Sequence, residues 1–185
     1  LSYPTVFKGK ERVVSLEGEA YFNVTKNTEH PFIVKSGNVQ VRVLGTEFNI
    51  KCYSDESPLV TTLVNGKVKF DDGMNPSVIL KPEEQLIFEK ENCQSIVRKI
   101  NVNHYIGWKD NRLSFQGERL DMIMKTLSRW YNVEVVFEDS TLKALEFSGN
   151  LDKFTNIQEF LSLFELGVNV KFEIKDRTVY IRKGN

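Results

Sequence analysis

Alternation of apolar and polar residues at period two governs most of the first hundred residues. In one run Val39, Val41 and Val43 are separated by Gln40 and Arg42. Successive side chains of a strand point to opposite faces, so this pattern predicts a strand with one buried face. Other short runs, separated by turn residues and without a helical period, occur at 12–16, 20–24, 31–35, 47–50, 61–64, 67–70, 78–80 and 85–88. This spacing predicts an antiparallel sandwich or barrel.

A tight turn is predicted where Asn65-Gly66 separates two of these runs. A type I′ turn needs positive φ at both central positions, which asparagine and glycine tolerate best. The sequence therefore predicts that 61–64 and 67–70 pair as a hairpin across this turn.

The pattern changes to helical spacing after about residue 100. Apolar residues then recur three, four, seven and eleven positions apart, which is one face of an amphipathic helix; they are Leu120, Ile123, Met124, Leu127 and Tyr131. A second helix is predicted over 157–164, with Thr155 as its N-cap and Gly167 as its stop. Short strands are predicted at 113–115, 133–137, 146–149, 170–174 and 178–181.

These patterns together predict an α+β chain with two domains. Residues 1–101 are expected to form an antiparallel β-sandwich of jelly-roll-like type. Residues 102–185 are expected to form a small βαβ–βαβ domain that ends in a hairpin.

Charge and hydropathy exclude two classes of protein. Lys+Arg and Asp+Glu each number 25, and the balance holds on both sides of Trp108. Neither part has the basic excess of a nucleic-acid binder, so no nucleic-acid partner is expected. The sequence contains no apolar run of 18 residues, so no membrane contact by this segment is expected.

The residues that carry enzyme or metal chemistry are sparse. His30 and His104 are isolated, whereas a metal site needs several converging ligands. Glu17 and Glu19 flank Gly18, which favours a bulge or a solvated turn over a catalytic carboxylate pair. No nucleophile motif, phosphate-binding loop or zinc-protease motif occurs. No enzyme activity and no cofactor are predicted, and a disulfide between the two cysteines is left open.

Several segments in order resemble the FecR family of regulators. Leu16-Glu17-Gly18-Glu19-Ala20-Tyr21-Phe22 is similar to the family's L-x-GEAYF motif, and Val43-Leu44-Gly45-Thr46 to its VLGT segment. Leu80-Lys81-Pro82-Glu83-Glu84-Gln85 resembles its L-x-PGEQ turn, with Glu83 in place of glycine, which predicts a different backbone geometry there. Trp108–Phe115 and Trp130–Val135 resemble the C-terminal domain of Bacteroidetes FecR-like anti-sigma factors, which is similar to the secretin and TonB short N-terminal domain.

The resemblance implies a role and a location. It implies the periplasmic part of a protein anchored in the inner membrane, with the first FecR strands ahead of Leu1. The partners it implies are the N-terminal signalling domain of a TonB-dependent outer-membrane transporter and an extracytoplasmic-function sigma factor. The sigma factor would be bound by a cytoplasmic segment outside this sequence.

Open strand edges are the expected binding sites, because unpaired edge N–H and C=O groups can accept a partner strand. The predicted edge positions are Leu145, Phe147, Gly149, Leu151, Thr178, Val179, Tyr180 and Ile181. If the terminal strand is the docking edge, proline at Val179 or Ile181 is expected to weaken partner binding. Trp130 is a candidate surface aromatic.

A carbohydrate-binding module is the alternative function, because β-sandwiches often carry sugar sites. Such a site needs exposed aromatic platforms flanked by polar groups. The candidate aromatics are Tyr3, Phe7, Tyr21, Phe22 and Tyr53, whose alternation fits a core as readily as a surface.

Overall fold

The computed structural model describes residues 1–152, 156–166 and 168–184. The chain divides into two compact units, unit 1 (Leu1–Ile106) and unit 2 (Gly107–Asn185).

Two sheets make up unit 1. The first sheet has the strand order β1-β3-β4-β7-β8 and the second has the order β10-β9-β6-β5-β2. The strands are β1 Arg12–Ser15, β2 Gly18–Val24, β3 Phe32–Ser36, β4 Val39–Val43, β5 Thr46–Cys52, β6 Pro58–Asn65, β7 Val68–Asp71, β8 Val78–Leu80, β9 Glu84–Glu89 and β10 Gln94–Lys99. A short helix, α1 (Asn103–Ile106), follows them. The predicted β-sandwich is confirmed.

The core of unit 1 follows from the period-two pattern. Val39, Val41 and Val43 are buried while Gln40 is exposed, as the alternation predicts. Inward-facing residues of both sheets share one apolar cluster, which includes the fully buried Phe48. Burial of this apolar surface is the main force that holds the two sheets together.

One strand pair departs from the antiparallel prediction. β1 and β3 pair in parallel, with Arg12 opposite Phe32 and Ser15 opposite Lys35. Between β1 and β3 the chain crosses to the second sheet, where it forms β2, and the chain reverses direction each time it crosses between sheets. β3 therefore returns to the first sheet in the same direction as β1.

The hairpin predicted at Asn65-Gly66 is wrong. β6 belongs to the second sheet and β7 to the first, so the turn carries the chain between sheets. Gly66 has φ 95°, and a Cβ there would lie 2.8 Å from the Gly45 carbonyl oxygen. The glycine is needed because the turn passes so close to the backbone at Gly45.

Unit 2 has its elements in the predicted order. They are β11 Arg112–Arg119, α2 Leu120–Tyr131, β12 Glu134–Phe137, β13 Glu146–Asp152, α3 Ile157–Glu165, β14 Val170–Lys175 and β15 Thr178–Lys183. Short 3-10 helices at Gly107–Asp110 and Ser140–Ala144 complete the path. The α+β class is confirmed.

The strand pairing of unit 2 differs from a pair of closed βαβ units. β11 pairs with β13 in an antiparallel ladder, while β12 lies in another sheet with the order β12-β15-β14. β12 runs parallel to β15, and β14 and β15 form the predicted terminal hairpin. The turn of that hairpin contains Asp176 at φ 54°, a left-handed conformation that aspartate tolerates.

The helices bury the faces that their sequences predict. In α2 the buried residues are Leu120, Ile123, Met124 and Leu127. The N-cap of α3 is Asn156, whose Oδ1 accepts from the Glu159 N–H at 2.9 Å. The N-cap predicted at Thr155 is therefore one residue early. Thr155 and the predicted stop Gly167 lie outside the described residues.

Candidate partner-binding surface

The terminal strand is not an edge. β15 contains Thr178, Val179, Tyr180 and Ile181 and pairs with β12 on one side and with β14 on the other. Both of its edges are therefore occupied by ladder partners. Val179 and Ile181 are also fully buried. The prediction that these four residues form a docking edge is wrong.

β13 keeps the predicted open edge. Within the described residues it pairs only with β11, so its other side has no strand beside it. Phe147 packs against the core, with its ring 4.8 Å from that of Phe164. Gly149 is exposed, and the backbone of Leu151 pairs with that of Leu113. Partner binding at this edge stays a prediction.

The carbonyl of Leu145 already has a partner. It accepts a hydrogen bond from the N–H of Leu120 at 2.7 Å, at the start of α2. Its side chain is partly buried against the core of unit 2. This contact gives Leu145 a role in anchoring α2 to β13.

Trp130 lies at the border of the second core. Its side chain is partly buried and packs against the apolar cluster of unit 2, as does that of Tyr131. A half-buried indole of this kind stabilises the helix contact and presents only part of its ring to solvent.

β12 is an edge strand, and it is not among the edges that the sequence predicts. The N–H of Glu134 donates to the carbonyl of Arg177, just before β15, at 2.7 Å, and the N–H of Glu138 donates to the carbonyl of Ile181 on β15 at 2.9 Å. Alternate peptide groups of a strand point to opposite sides, so those of Val135 and Phe137 point away from β15. Among the described residues nothing pairs with these outward groups.

The composition of the two strands is consistent with a central β15 and an edge at β12. β15 has a run of β-branched and aromatic residues, Thr-Val-Tyr-Ile, which suits a strand paired on both sides. β12 is bounded by Glu134 and Glu138, and charged residues are common on edge strands because they discourage aggregation.

A groove of about 530 Å³ lies between α2 and β12. Met124, Val135 and Phe137 supply apolar lining, and the hydroxyl of Ser128 lies on the helix side. The remaining lining residues are Asp121, Lys125, Val133, Glu134 and Lys143. The open side of β12 therefore adjoins a groove that is lined partly by apolar side chains.

The carboxylate of Asp139 fixes the end of β12 to β15. It accepts from the Thr141 hydroxyl at 2.6 Å and lies 2.9 Å from the Lys183 ammonium. The Thr141 hydroxyl, followed by Lys183, lowers the pKa of Asp139 to about 2. Nearby, Asp121 at the groove has its pKa lowered chiefly by a hydrogen bond from Arg119.

Unit 1 contains a row of polar side chains on the outer face of its second sheet. Asn49, Thr62 and Gln85 are almost fully buried and lie side by side on β5, β6 and β9. Gln85 donates to the Thr62 hydroxyl at 2.9 Å and accepts from Arg98 at 2.7 Å. Asn49 donates to Glu19. Because these buried side chains are hydrogen-bonded to each other or to Glu19 and Arg98, the row stabilises the sheet.

A cavity of about 750 Å³ also lies in unit 1, beside Leu16, Glu17, Lys35 and Cys52. Among the described residues that line it, none is aromatic. Phe22 is stacked on Phe48 in the core. The aromatic platform that a sugar site needs is therefore absent from this cavity.

The cysteines and the acidic residues form no metal centre in the part of the chain that the structure describes. Cys52 and Cys93 are both free thiols. Burial raises the pKa of the Cys52 thiol, and its sulfur lies 3.4 Å from the Leu16 carbonyl oxygen. Cys52 is therefore a buried, protonated packing residue.

Two sequence models of known families match the two units in order. The model described as FecR protein matches residues 3–69, and the one described as FecR, C-terminal, matches residues 112–181. The chain belongs to the FecR family. The FecR-type chain matches no curated protein.

Solved structures share the whole fold of this FecR-type chain. Two crystal structures of a candidate anti-sigma factor from Parabacteroides distasonis ATCC 8503, at 1.65 and 2.50 Å resolution, each give a TM-score of 0.89 at 26% identity. Each match covers 99% of this chain and 85% of the other. Family and fold together support a regulatory, anti-sigma role. No described helix has the length and apolarity needed to cross a bilayer.

Proposed function

We propose that this chain is the periplasmic portion of a transmembrane anti-sigma regulator. In this role it binds the N-terminal signalling domain of a TonB-dependent outer-membrane transporter and relays the transporter's state to an extracytoplasmic-function sigma factor. The sigma factor is bound by a cytoplasmic segment outside these residues, and an inner-membrane anchor joins the two parts.

One observation carries the proposal. FecR and FecR C-terminal modules follow each other on one chain, and the likeness to a candidate anti-sigma factor extends over both of them. A relay of this kind needs surfaces for protein binding rather than a reaction centre. Unit 2 supports that requirement, because open strand edges accept a strand from a partner.

The proposal is tested by calorimetric titration of the 185-residue chain with the periplasmic signalling domain of the TonB-dependent transporter encoded beside its gene. We expect saturable binding with a micromolar or tighter dissociation constant. An unrelated domain of matched size and net charge serves as the control.

The transporter part of the proposal would be contradicted if the folded chain gave no binding heat and no change in electrophoretic mobility with the signalling domain. Equal binding to the control domain would also contradict it, because the contact would then lack specificity.

A further inference from the structure

We propose that an extended segment of the partner adds beside β12 as a fourth strand of the β12-β15-β14 sheet, and that this segment has the pattern base–x–apolar–x–base. This inference rests on the proposed function, since it names the edge and the chemistry of the docking contact.

The first support is the hydrogen-bonding capacity of β12. The peptide groups of Val135 and Phe137 point away from β15, and each offers one donor and one acceptor. A strand in an antiparallel arrangement beside β12 would satisfy all four groups at the usual spacing of about 4.8 Å between strands. Main-chain bonds of this kind supply affinity without demanding a particular sequence.

The second support is the groove on the inner side of this edge. An added strand sends alternate side chains toward α2, where Met124, Val135 and Phe137 offer apolar contact. The volume of about 530 Å³ accommodates two or three side chains of moderate size. The positions written x in the pattern therefore face this groove and favour apolar residues.

The third support is charge on the outer side of the edge. Glu134, Val136 and Glu138 alternate with the groove-facing residues, and all three are exposed. In the described part of the chain neither glutamate forms an ion pair. Residues directly opposite across two strands interact, and opposite charges there are favourable. A partner strand is thus expected to place a base beside each glutamate and an apolar residue beside Val136.

The same charges argue against a second copy of this chain as the occupant. A two-fold antiparallel pair of β12 strands that uses both outward peptide groups sets Val135 opposite Phe137. In that register Glu134 of one copy lies opposite Glu138 of the other, twice over. Like charges directly opposite are destabilising, so self-pairing is disfavoured.

The test uses two blocked peptides, acetyl-Thr-Lys-Val-Val-Val-Lys-Thr-amide and its counterpart with both lysines replaced by glutamate. Each is titrated into the isotopically labelled 185-residue chain while the backbone amide signals are followed by NMR. We expect the lysine peptide to shift the signals of Val135 and Phe137 and to bind roughly tenfold more tightly than the glutamate peptide. No shift at these two amides, or equal binding of the two peptides, would overturn the proposal.

A charge-reversal variant tests the proposed register without changing any buried contact. Glu134→Lys with Glu138→Lys alters only exposed side chains, so the fold is expected to persist. The double variant should prefer the glutamate peptide. An unchanged preference for the lysine peptide would overturn the proposed register.

A matched pair of helix variants tests the groove. Ser128 and Thr126 both donate to carbonyls of their own helix, at 2.8 and 3.3 Å, but only Ser128 lines the groove. Ser128→Trp should weaken binding of the transporter signalling domain at least tenfold, whereas Thr126→Trp should leave it within about twofold. Equal effects of the two variants would contradict docking in the groove.

The outcomes separate this inference from the proposed function. Binding of the lysine peptide at β12 without any binding of the signalling domain would defeat the proposed function and leave the docking edge standing. Binding of the signalling domain that is insensitive to the charge reversal and to Ser128→Trp would defeat the docking edge alone.

Discussion

At the scale of single residues, Glu83 has the left-handed backbone that glycine favours. The chain turns through Lys81-Pro82-Glu83-Glu84, and the Glu84 N–H donates to the Lys81 carbonyl at 3.1 Å. Proline at the second position and φ 66° at the third are the features of a type II turn. The resemblance indicated a changed geometry because glycine is replaced, yet Glu83 has the conformation that glycine would adopt there.

Glu83→Gly is expected to stabilise unit 1. Relief of left-handed strain contributes about 1–2 kcal/mol, and the added flexibility of the unfolded chain costs about 0.5–1 kcal/mol, which leaves a net gain of up to about 1.5 kcal/mol. Urea unfolding of the two proteins measures the difference. The control is Glu91→Gly, at an exposed turn position without positive φ, which should lower the free energy of unfolding. Stabilisation of both variants alike would contradict the strain argument.

Asp139 should make unit 2 sensitive to acid. Its folded pKa of about 2 lies below the ordinary value of 3.8, so its stabilising contribution is present above about pH 4 and is lost as the pH falls toward 2. NMR titration of its carboxyl carbon measures this pKa. Thr141→Val and Lys183→Met should each raise the pKa, because each removes a hydrogen bond to the ionised carboxylate. An unchanged pKa in both variants would contradict this assignment.

At the scale of elements, the sequence predicts the strands and helices well but their neighbours poorly. Strands and helices each bury one face, and the apolar residues of that face recur in the sequence with a period that identifies the element. Pairing depends on contacts between distant segments. Asn65-Gly66 illustrates the limit, since the dipeptide correctly indicates a turn but not that the chain changes sheets there. The same limit explains why β15 was predicted as an edge and the edge at β12 was not.

Proline substitution should separate a central strand from an edge strand. Val179→Pro removes a ladder bond and a fully buried side chain from β15, a loss of about 3 kcal/mol or more that should unfold unit 2. Val97→Pro in β10 is the matched variant. The Ile100 N–H donates to the carbonyl of Glu83, just before β9, so the N–H of Val97, an odd number of residues away, points away from β9. An edge strand tolerates proline where its N–H faces outward.

Circular dichroism and thermal unfolding report the outcome of both substitutions. Val97→Pro should keep a native-like spectrum, whereas Val179→Pro should lose the transition of unit 2. Equal tolerance of the two prolines would contradict the strand order of the β12-β15-β14 sheet.

At the scale of the whole molecule, each unit has its own apolar cluster, and the two clusters share no residue among those described. This organisation was accessible from the sequence, because the change from strand to helical spacing near residue 100 is abrupt. The candidate docking edge has only a weak signal in the sequence, the two glutamates that bound β12, because the order of strands in a sheet depends on contacts between distant segments.

Cavity-forming substitutions should act on one unit at a time. Leu63 and Leu127 are fully buried leucines in the first and second clusters, and replacing either by alanine should cost about 2–5 kcal/mol. Hydrogen exchange read by mass spectrometry should show faster exchange in β5 and β6 for Leu63→Ala. For Leu127→Ala it should show faster exchange in α2 and β15. If either substitution alone lowered protection from hydrogen exchange in both units, the two cores would not be separate.

The central position of β15 also has a consequence for biosynthesis. β12 and β14 are made before β15, yet in this sheet each pairs only with β15. While the chain is still emerging from the ribosome, neither strand has its ladder partner, and the apolar faces of α2 and α3 have only part of a sheet to cover. Non-local pairing of this kind is slow to form and leaves strands exposed to misassociation. The order of synthesis therefore leaves β12 and β14 open to misassociation until β15 has been made.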